Sequence, residues 1–397
     1  MRLDLFTAHT ELTRRGLLRA GAAAGAVAVV GTAGSATAAP SLHDAVGTAT
    51  DDPADREGDE LFDVEAVIAG AWAPGPYGEG DQRGSFNEVT PAKTASALRL
   101  LDAGRPVKTY GLGEELFNGF PAYAALLYPR QYEQRLTVLG YVPTEPGPLV
   151  QLPVPFGPNK VSAHEERLVG STTYHIGTQV DGLAHIGVGD MFYGGNRGPD
   201  IAAAHGLKRL GNEHMGPIVT RGVVADVVGL KVAQGATSAY FTADNGRPVL
   251  QDDYRITVED IEQALRRAGR LTFGPGDVVL LRTGWTHLVE QDPARYTAKE
   301  PGIYLREARW LAKRRPAIVG GDAWALESLN PEVIDGNSFP VHQLLLVKHG
   351  IRIGESILTD DLVDDGVHEF VFMYSPQNAR GATAGCTPPV ALAQPSV

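Results

Sequence analysis

The chain has 397 residues, 43% of them hydrophobic, which is enough for one large globular domain with a sizeable core. Its formal charge of -12 excludes the clustered basic surface that nucleic-acid binding requires. Cys386 is the single cysteine, so intrachain disulfides and thiolate metal clusters are excluded and any metal must be held by nitrogen and oxygen.

Arg14-Arg15, the weakly apolar Ala/Gly/Val run to Val30 and the small residues Ser35 to Ala39 predict a twin-arginine export signal over residues 1–39. That run is too short and too rich in alanine and glycine for a membrane span. A secreted or periplasmic location follows, with no membrane partner once the signal is cleaved. Residues 40–60 carry Asp51, Asp52, Asp55, Glu57, Asp59 and Glu60 and read as a disordered acidic linker. A single catalytic domain is expected over 61–397.

Thr90 as N-cap with Pro91 behind it predicts a helix from Ala92 to Leu101. A short strand follows at Pro106–Tyr110, then an aromatic loop with Phe117 and Phe120. These two, with Trp72 and Tyr193 from other loops, are the candidate substrate-pocket residues. Short apolar runs among prolines and glycines from Val138 to Val161 suggest strands and a loop. Ile218–Val228 reads as a buried strand, and Thr257 with Asp260 three residues on has the pattern of a capped amphipathic helix. Gly276–Trp285 predicts a strand, Leu305–Arg315 a helix, Ala317–Asp322 a strand, and Val341–Lys348 a helix ended by His349-Gly350. Strands at Ile351–Glu355 and Phe370–Tyr374 close the series. Strands alternating with helices indicate an α/β fold, and the long loops suggest a mixed sheet.

The densest chemistry lies in His175-Ile176-Gly177-Thr178-Gln179-Val180-Asp181-Gly182-Leu183-Ala184-His185. Imidazoles, an amide and a carboxylate are metal ligands and proton carriers. A straight strand rises about 3.3 Å per residue, which would leave His175 and Asp181 roughly 20 Å apart. Ligands of one ion must converge, so the run has to bend, and Gly177 and Gly182 allow it. It is predicted to be a strand running into a curled loop. Far along the chain, His342 at a helix start and Glu355 at the end of the next strand can be returned to one place by a helix, turn and strand.

The run resembles the His-x-Gly-Thr-His-x-Asp-x-Pro-x-His motif of the cyclase family of metal-dependent hydrolases, which includes kynurenine formamidase and isatin hydrolase. Trp72 to Pro91, Thr220–Val223, Gly276–Trp285, Gly321–Trp324 and His342 to Glu355 extend the resemblance over roughly Trp72 to Ala391. It implies a mixed, partly barrel-like β-sheet with flanking helices, of the swivelling β/β/α kind. It implies that His175 and Asp181 are metal ligands, that His185 is the catalytic base, and that His342 and Glu355 are a later ligand pair. Gln179 stands where the family has a ligand histidine, and Leu183 where it has proline. One or two manganese or zinc ions are expected. The reaction implied is hydrolysis of an amide, lactam or ester of a small organic substrate by metal-activated water. A lyase or dehydratase on the same scaffold, or a non-catalytic small-molecule binding protein, are the other readings. A homo-oligomer, dimer or tetramer, is also implied.

Overall fold

A computed structural model describes residues 58–123, 129–139, 150–152, 157–170, 172–330 and 335–395. The expected signal and all but the last three residues of the expected linker lie outside them. Those three residues are held in place. Arg255 grips Asp59 through two nitrogens at 2.6 and 2.8 Å, and Arg309 donates to the carbonyl of Glu60 at 2.6 Å. Among the described residues no helix is long and apolar enough to cross a membrane.

The framework is a mixed nine-stranded sheet that curls strongly into a half-barrel. Its strands are β1 (Lys108–Gly111), β5 (Gln179–Asp181), β6 (Ile218–Asp226), β7 (Val278–Arg282), β8 (Ile318–Gly321), β9 (Arg352–Glu355), β10 (Glu369–Tyr374), β11 (Ala384–Gly385) and β12 (Val390–Ala393). They lie in the order β1-β12-β10-β6-β7-β8-β9-β5-β11. The strands β6 to β9 run parallel, while those on either flank are antiparallel. A separate three-stranded sheet of β2 (Gln134–Leu139), β3 (Val150–Leu152) and β4 (Ala163–Leu168) stands off the body, and β4 is exposed at every position.

Every residue of β7, β8 and β9 is buried, as expected for parallel strands covered on both faces. Alternation sorts their side chains. Val279, Leu281, Val319 and Ile353 join the core beneath the helices, whereas Val278, Leu280 and Ile318 pack with Tyr110, Phe370 and Phe372.

Three expected helices start where local signals place them, though two end early, at Leu98 and Ala312, and the strand expected to Val228 stops at Asp226, which caps a helix Val227–Ala233. Thr90 caps Pro91–Leu98 by accepting from Lys93 N. Thr257 and Asp260 cap Val258–Arg267 reciprocally, each side chain accepting from the other's backbone at 3.1 Å. Ile261, Ala264 and Leu265 give that helix its buried stripe. Leu305–Ala312 does likewise with Leu305, Ala308, Leu311 and Ala312.

The expected helix Val341–Lys348 takes a different form. Pro340–His342 is α-helical, and Gln343–Lys348 widens into a π-helical turn closed by His349 N on Leu344 O at 3.3 Å. The wide turn buries Leu344, Leu345, Leu346 and Val347 in succession, which a regular one-sided helix would not.

Sequence periodicity gave no sign of β11 and β12, which are short and flank Pro388 and Pro389. They pair at the two ends of the sheet order: β11 lies against β5, and β12 lies between β1 and β10. One short stretch of chain therefore ties both ends of the curl together.

Candidate metal centre

His175 to Thr178 is a bend, Gln179–Asp181 is strand, and Gly182 begins the turn that brings His185 back. The expected order of strand then curl is thus bend, strand, turn, and only the middle three residues are extended. Gly177 has φ +63°, and a Cβ there would meet Leu116 at 2.6 Å. At Gly182 a Cβ would lie 2.5 Å from the carbonyl oxygen of Thr383, to which Gly182 N donates at 2.8 Å. Both positions need glycine, the first for conformation and the second for close approach.

The later residues arrive through register. Glu355 stands opposite Gln179 across β9 and β5. Gln179 Nε2 donates to Glu355 Oε2, which orients the amide because a carboxylate offers only acceptors. His342 Nε2 then lies 3.1 Å from Glu355 Oε1 and 3.5 Å from Asp181 Oδ2. His175 Nδ1 is 3.5 Å from Asp181 Oδ1, and its ring stacks on that of His185 with centroids 3.9 Å apart. Five of the six expected site residues meet as two overlapping trios, His175, Asp181 and His185, and Asp181, His342 and Glu355, and the sixth, Gln179, joins through its hydrogen bond to Glu355. Within each trio the potential ligand atoms lie within 4.8 Å of one another.

The residues fit a cation, and the polar accounting says where. Four buried atoms converge with no hydrogen-bond partner: His175 Nδ1, Gln179 Oε1 and both carboxylate oxygens of Asp181. A buried carboxylate with neither oxygen satisfied is costly unless a positive ion faces it. Burial works against the charge on Asp181, yet His185 and the imidazoles of His175 and His342, each 3.5 Å from one of its oxygens, hold its carboxyl well below the usual range. Glu355 is raised, by burial first and by the charge of Asp181 second. Two carboxylates that repel each other beside three imidazoles form a donor set for a divalent metal.

Two residues that sequence reasoning missed support the ligands from behind. Glu327 Oε1 lies 2.5 Å from His342 Nδ1 and also accepts from His342 N, which fixes the ring and leaves Nε2 facing the carboxylates. Burial opposes a charged His342, but Asp181 at 3.5 Å and the hydrogen-bonded carboxylates of Glu327 and Glu355 raise its pKa well above the ordinary value. Thr383 Oγ1 sits 2.8 Å from His175 Nε2, leaving Nδ1 for the metal side. Neither lies in a motif, and nothing in their neighbouring sequence marks them. The backbone does mark this neighbourhood: Leu326, Phe339 and Ser356 have φ of +62°, +55° and +49°, beside Glu327, the His342 helix and Glu355 respectively. Left-handed conformations at such residues cost roughly 1–2 kcal/mol each, and they gather around the site.

His185 differs from the ligands. It is half-buried where His175 and Asp181 are buried, and no described residue hydrogen-bonds its ring. Burial drives its pKa down to about 3 against the pull of Asp181, so the ring is a neutral acceptor near pH 7.

A small cavity opens on the site, with Tyr123, Arg130, Tyr296 and Trp324 among its walls beside His175 and Gln179. The four aromatics expected to line a pocket do not line this one. Trp72 packs edge-on against Phe62 at 4.7 Å in the helix-side core. Tyr193 is buried, its hydroxyl donating to Asp81 at 2.8 Å. Phe120 is buried with Ile176 and Trp324 one layer behind the wall, and Phe117 leans on it from an exposed position. Apolar loop residues were drawn to core, where their area is best used. Of the true wall, Trp324 follows Gly321-Asp322-Ala323, a stretch the sequence had already singled out.

Comparison with known proteins identifies the family of the fold. The family described as "Putative cyclase" matches residues 117–328. The crystal structure of a novel cyclase superposes with a TM-score of 0.63 at 26% identity, covering 80% of this chain and 98% of that one. Isatin hydrolase A from Ralstonia solanacearum aligns at 17% identity with a TM-score of 0.48, covering 77% of this chain and 97% of its own. Isatin hydrolase A from Labrenzia aggregata, bound to benzyl benzoate, aligns at 15% and 0.47, covering 72% and 94%. No curated protein matches this chain.

Proposed function

Because this chain belongs to the cyclase family, we propose that it is a metal-dependent hydrolase that cleaves an amide, lactam or ester bond of a small organic substrate. The observation that carries this reading is the set of four unpartnered buried atoms on His175, Gln179 and Asp181, with His185 stacked beside them and its ring free.

His175 Nδ1, Gln179 Oε1 and Asp181 would hold one divalent ion, manganese or zinc, and His342 with Glu355 would add to the set or share a second through Asp181. When bound, such an ion lowers the pKa of water and polarises a substrate carbonyl. The chain's own part is proton handling. His185, stacked on His175 with no described residue hydrogen-bonding its ring, is placed to accept the proton of the attacking water and deliver it to the departing nitrogen or oxygen. Thr383 and Glu327 keep the rings of His175 and His342 in their ligating orientation. Trp324, with its Nε1 donating to Tyr296 O at 2.7 Å, gives the cavity a fixed wall and excludes water from one side.

The test is metal analysis of the purified protein coupled to turnover of a panel of N-acyl arylamines, lactams and aryl esters. His185→Ala should keep the metal and lose at least a hundredfold in kcat, while Asp181→Ala should lose both. Full activity without metal, or undiminished turnover by His185→Ala, would sink the mechanism. Stoichiometric capture of ligand without product would make the protein a binder instead. We further infer export through the twin-arginine pattern at Arg14-Arg15, to be checked by locating the mature protein after Arg14→Lys/Arg15→Lys replacement.

A further inference from the structure

The cavity beside the metal ligands contains one side chain that the chemistry above leaves unused. Arg130 is half-buried in its wall, and Nη1 donates to the carbonyl oxygen of His175 at 3.4 Å. Its Nε is buried with no acceptor. No aspartate or glutamate among the described residues pairs with it. Arginines elsewhere are matched to carboxylates, Arg255 to Asp59 and Glu307, Arg282 to Asp226 and Asp360, Arg295 to Asp252, whereas buried Arg352 is held by the carbonyls of Asp181, Gln82 and Arg83. Arg130 alone of these lines the cavity, and its buried Nε is a donor that an acceptor on a ligand can satisfy.

The geometry leaves one edge for that acceptor. With Nη1 committed to His175, the Nε/Nη2 edge is the side-on fork that takes a carboxylate through two parallel hydrogen bonds. The same cavity wall carries Trp324 and Tyr123, whose rings stack on each other with centroids 4.6 Å apart and planes 18° from parallel, leaving the outer rim of the pair for a ligand. Planar rings pack well against such a rim.

Resting on the hydrolase reading of the same site, we propose that Arg130 is the specificity-determining residue for substrate charge, and that the substrate is a planar acyl compound bearing a carboxylate. The carboxylate seats on the Nε/Nη2 edge and the ring lies against Trp324 and Tyr123. The bond to be broken is thereby set towards His175, whose carbonyl the same guanidinium holds.

The experiment compares the 2-, 3- and 4-acetoxybenzoates with the matching acetoxybenzamides on the metal-loaded full chain. At least one acid should exceed its amide tenfold or more in kcat/KM, through KM. In Arg130→Gln that ratio should fall at least tenfold, and Arg130→Lys should restore it only in part because the fork is lost. A missing acid preference in the wild type, or one that survives Arg130→Gln, overturns the assignment. Should Arg130→Gln not fold, a full ratio in Arg130→Lys overturns it as well. If no ester of either charge is turned over, the hydrolase reading is decided by the amide and lactam panel above, and calorimetry with benzoate and benzamide decides Arg130 separately. Tenfold weaker benzoate binding in the variant supports it, and equal binding overturns it.

Discussion

Gln179 carries the main departure from the family motif, and its surroundings show why an amide works there. The amide supplies a donor and an acceptor at one position, so one end can bind a carboxylate while the other stays available as an oxygen ligand. Glutamine does both, since Nε2 is spent on the carboxylate and Oε1 is left unpartnered. Gln179→Ala should therefore weaken metal binding about tenfold or more while leaving the fold intact, as read by competition with a chelator. Glu327→Gln should cost a similar factor through His342, whose orientation it sets. Glu114 makes a separate pH prediction. Burial raises its carboxyl to about 8, against the hydrogen bond it accepts from Thr286. The unfolded chain releases that proton near pH ~4.3. Between about 4.3 and 8 the native state thus binds more protons, so stability falls as pH climbs and levels off above 8. Thermal melts of Glu114→Gln should lack this slope, and an equal slope in both proteins would exclude Glu114 as its source.

At the scale of elements, legibility followed locality. The caps at Thr90 and Thr257 were readable because each interaction spans three residues, and the structure makes both. Thr257→Ala should cost about 1 kcal/mol in chemical denaturation, and Thr257→Ser much less. The strands Val278–Arg282 and Ile318–Gly321 were readable from short apolar runs, the signature of burial on both faces, and Ile218–Asp226 from the apolar residues on either side of Thr220-Arg221. The metal run was readable as chemistry because its residue types are dense. Its support was not: Glu327 and Thr383 come from 15 residues before His342 and 208 residues after His175. Such pairings depend on register and turn geometry that no local pattern encodes. The cavity wall failed for a related reason. An aromatic loop residue looks the same in sequence whether it packs inward, like Phe120, or faces a ligand, like Tyr123.

For the molecule as a whole, the sheet is arranged so that its centre is conventional and its edges are special. Parallel β6 to β9 carry the bulk of the core, whereas β5, which bears Gln179 and Asp181, lies next to the end of the sheet. Only the two-residue β11 covers its outer side, through Ala384 opposite Asp181 and Gly385 opposite Val180. Thr383→Val should leave the sheet paired but release His175 Nε2, lowering metal affinity roughly tenfold with little change in melting temperature. Removing residues 384–397 should do more. Both ends of the sheet would lose a strand, and we expect loss of metal together with cooperative folding, followed by circular dichroism and metal content.

The place of Thr383 and β11 also sets a clock on biosynthesis. His175 and Thr383 are separated by 208 residues, so the emerging chain carries its first ligand long before the group that orients it exists. The pairing that covers β5 forms only when residues past 380 have left the ribosome. Closing so long a loop is slow compared with forming the helices. The full centre, with His342, Glu355 and the support of Thr383, is therefore expected to become competent to take up its ion only late in folding.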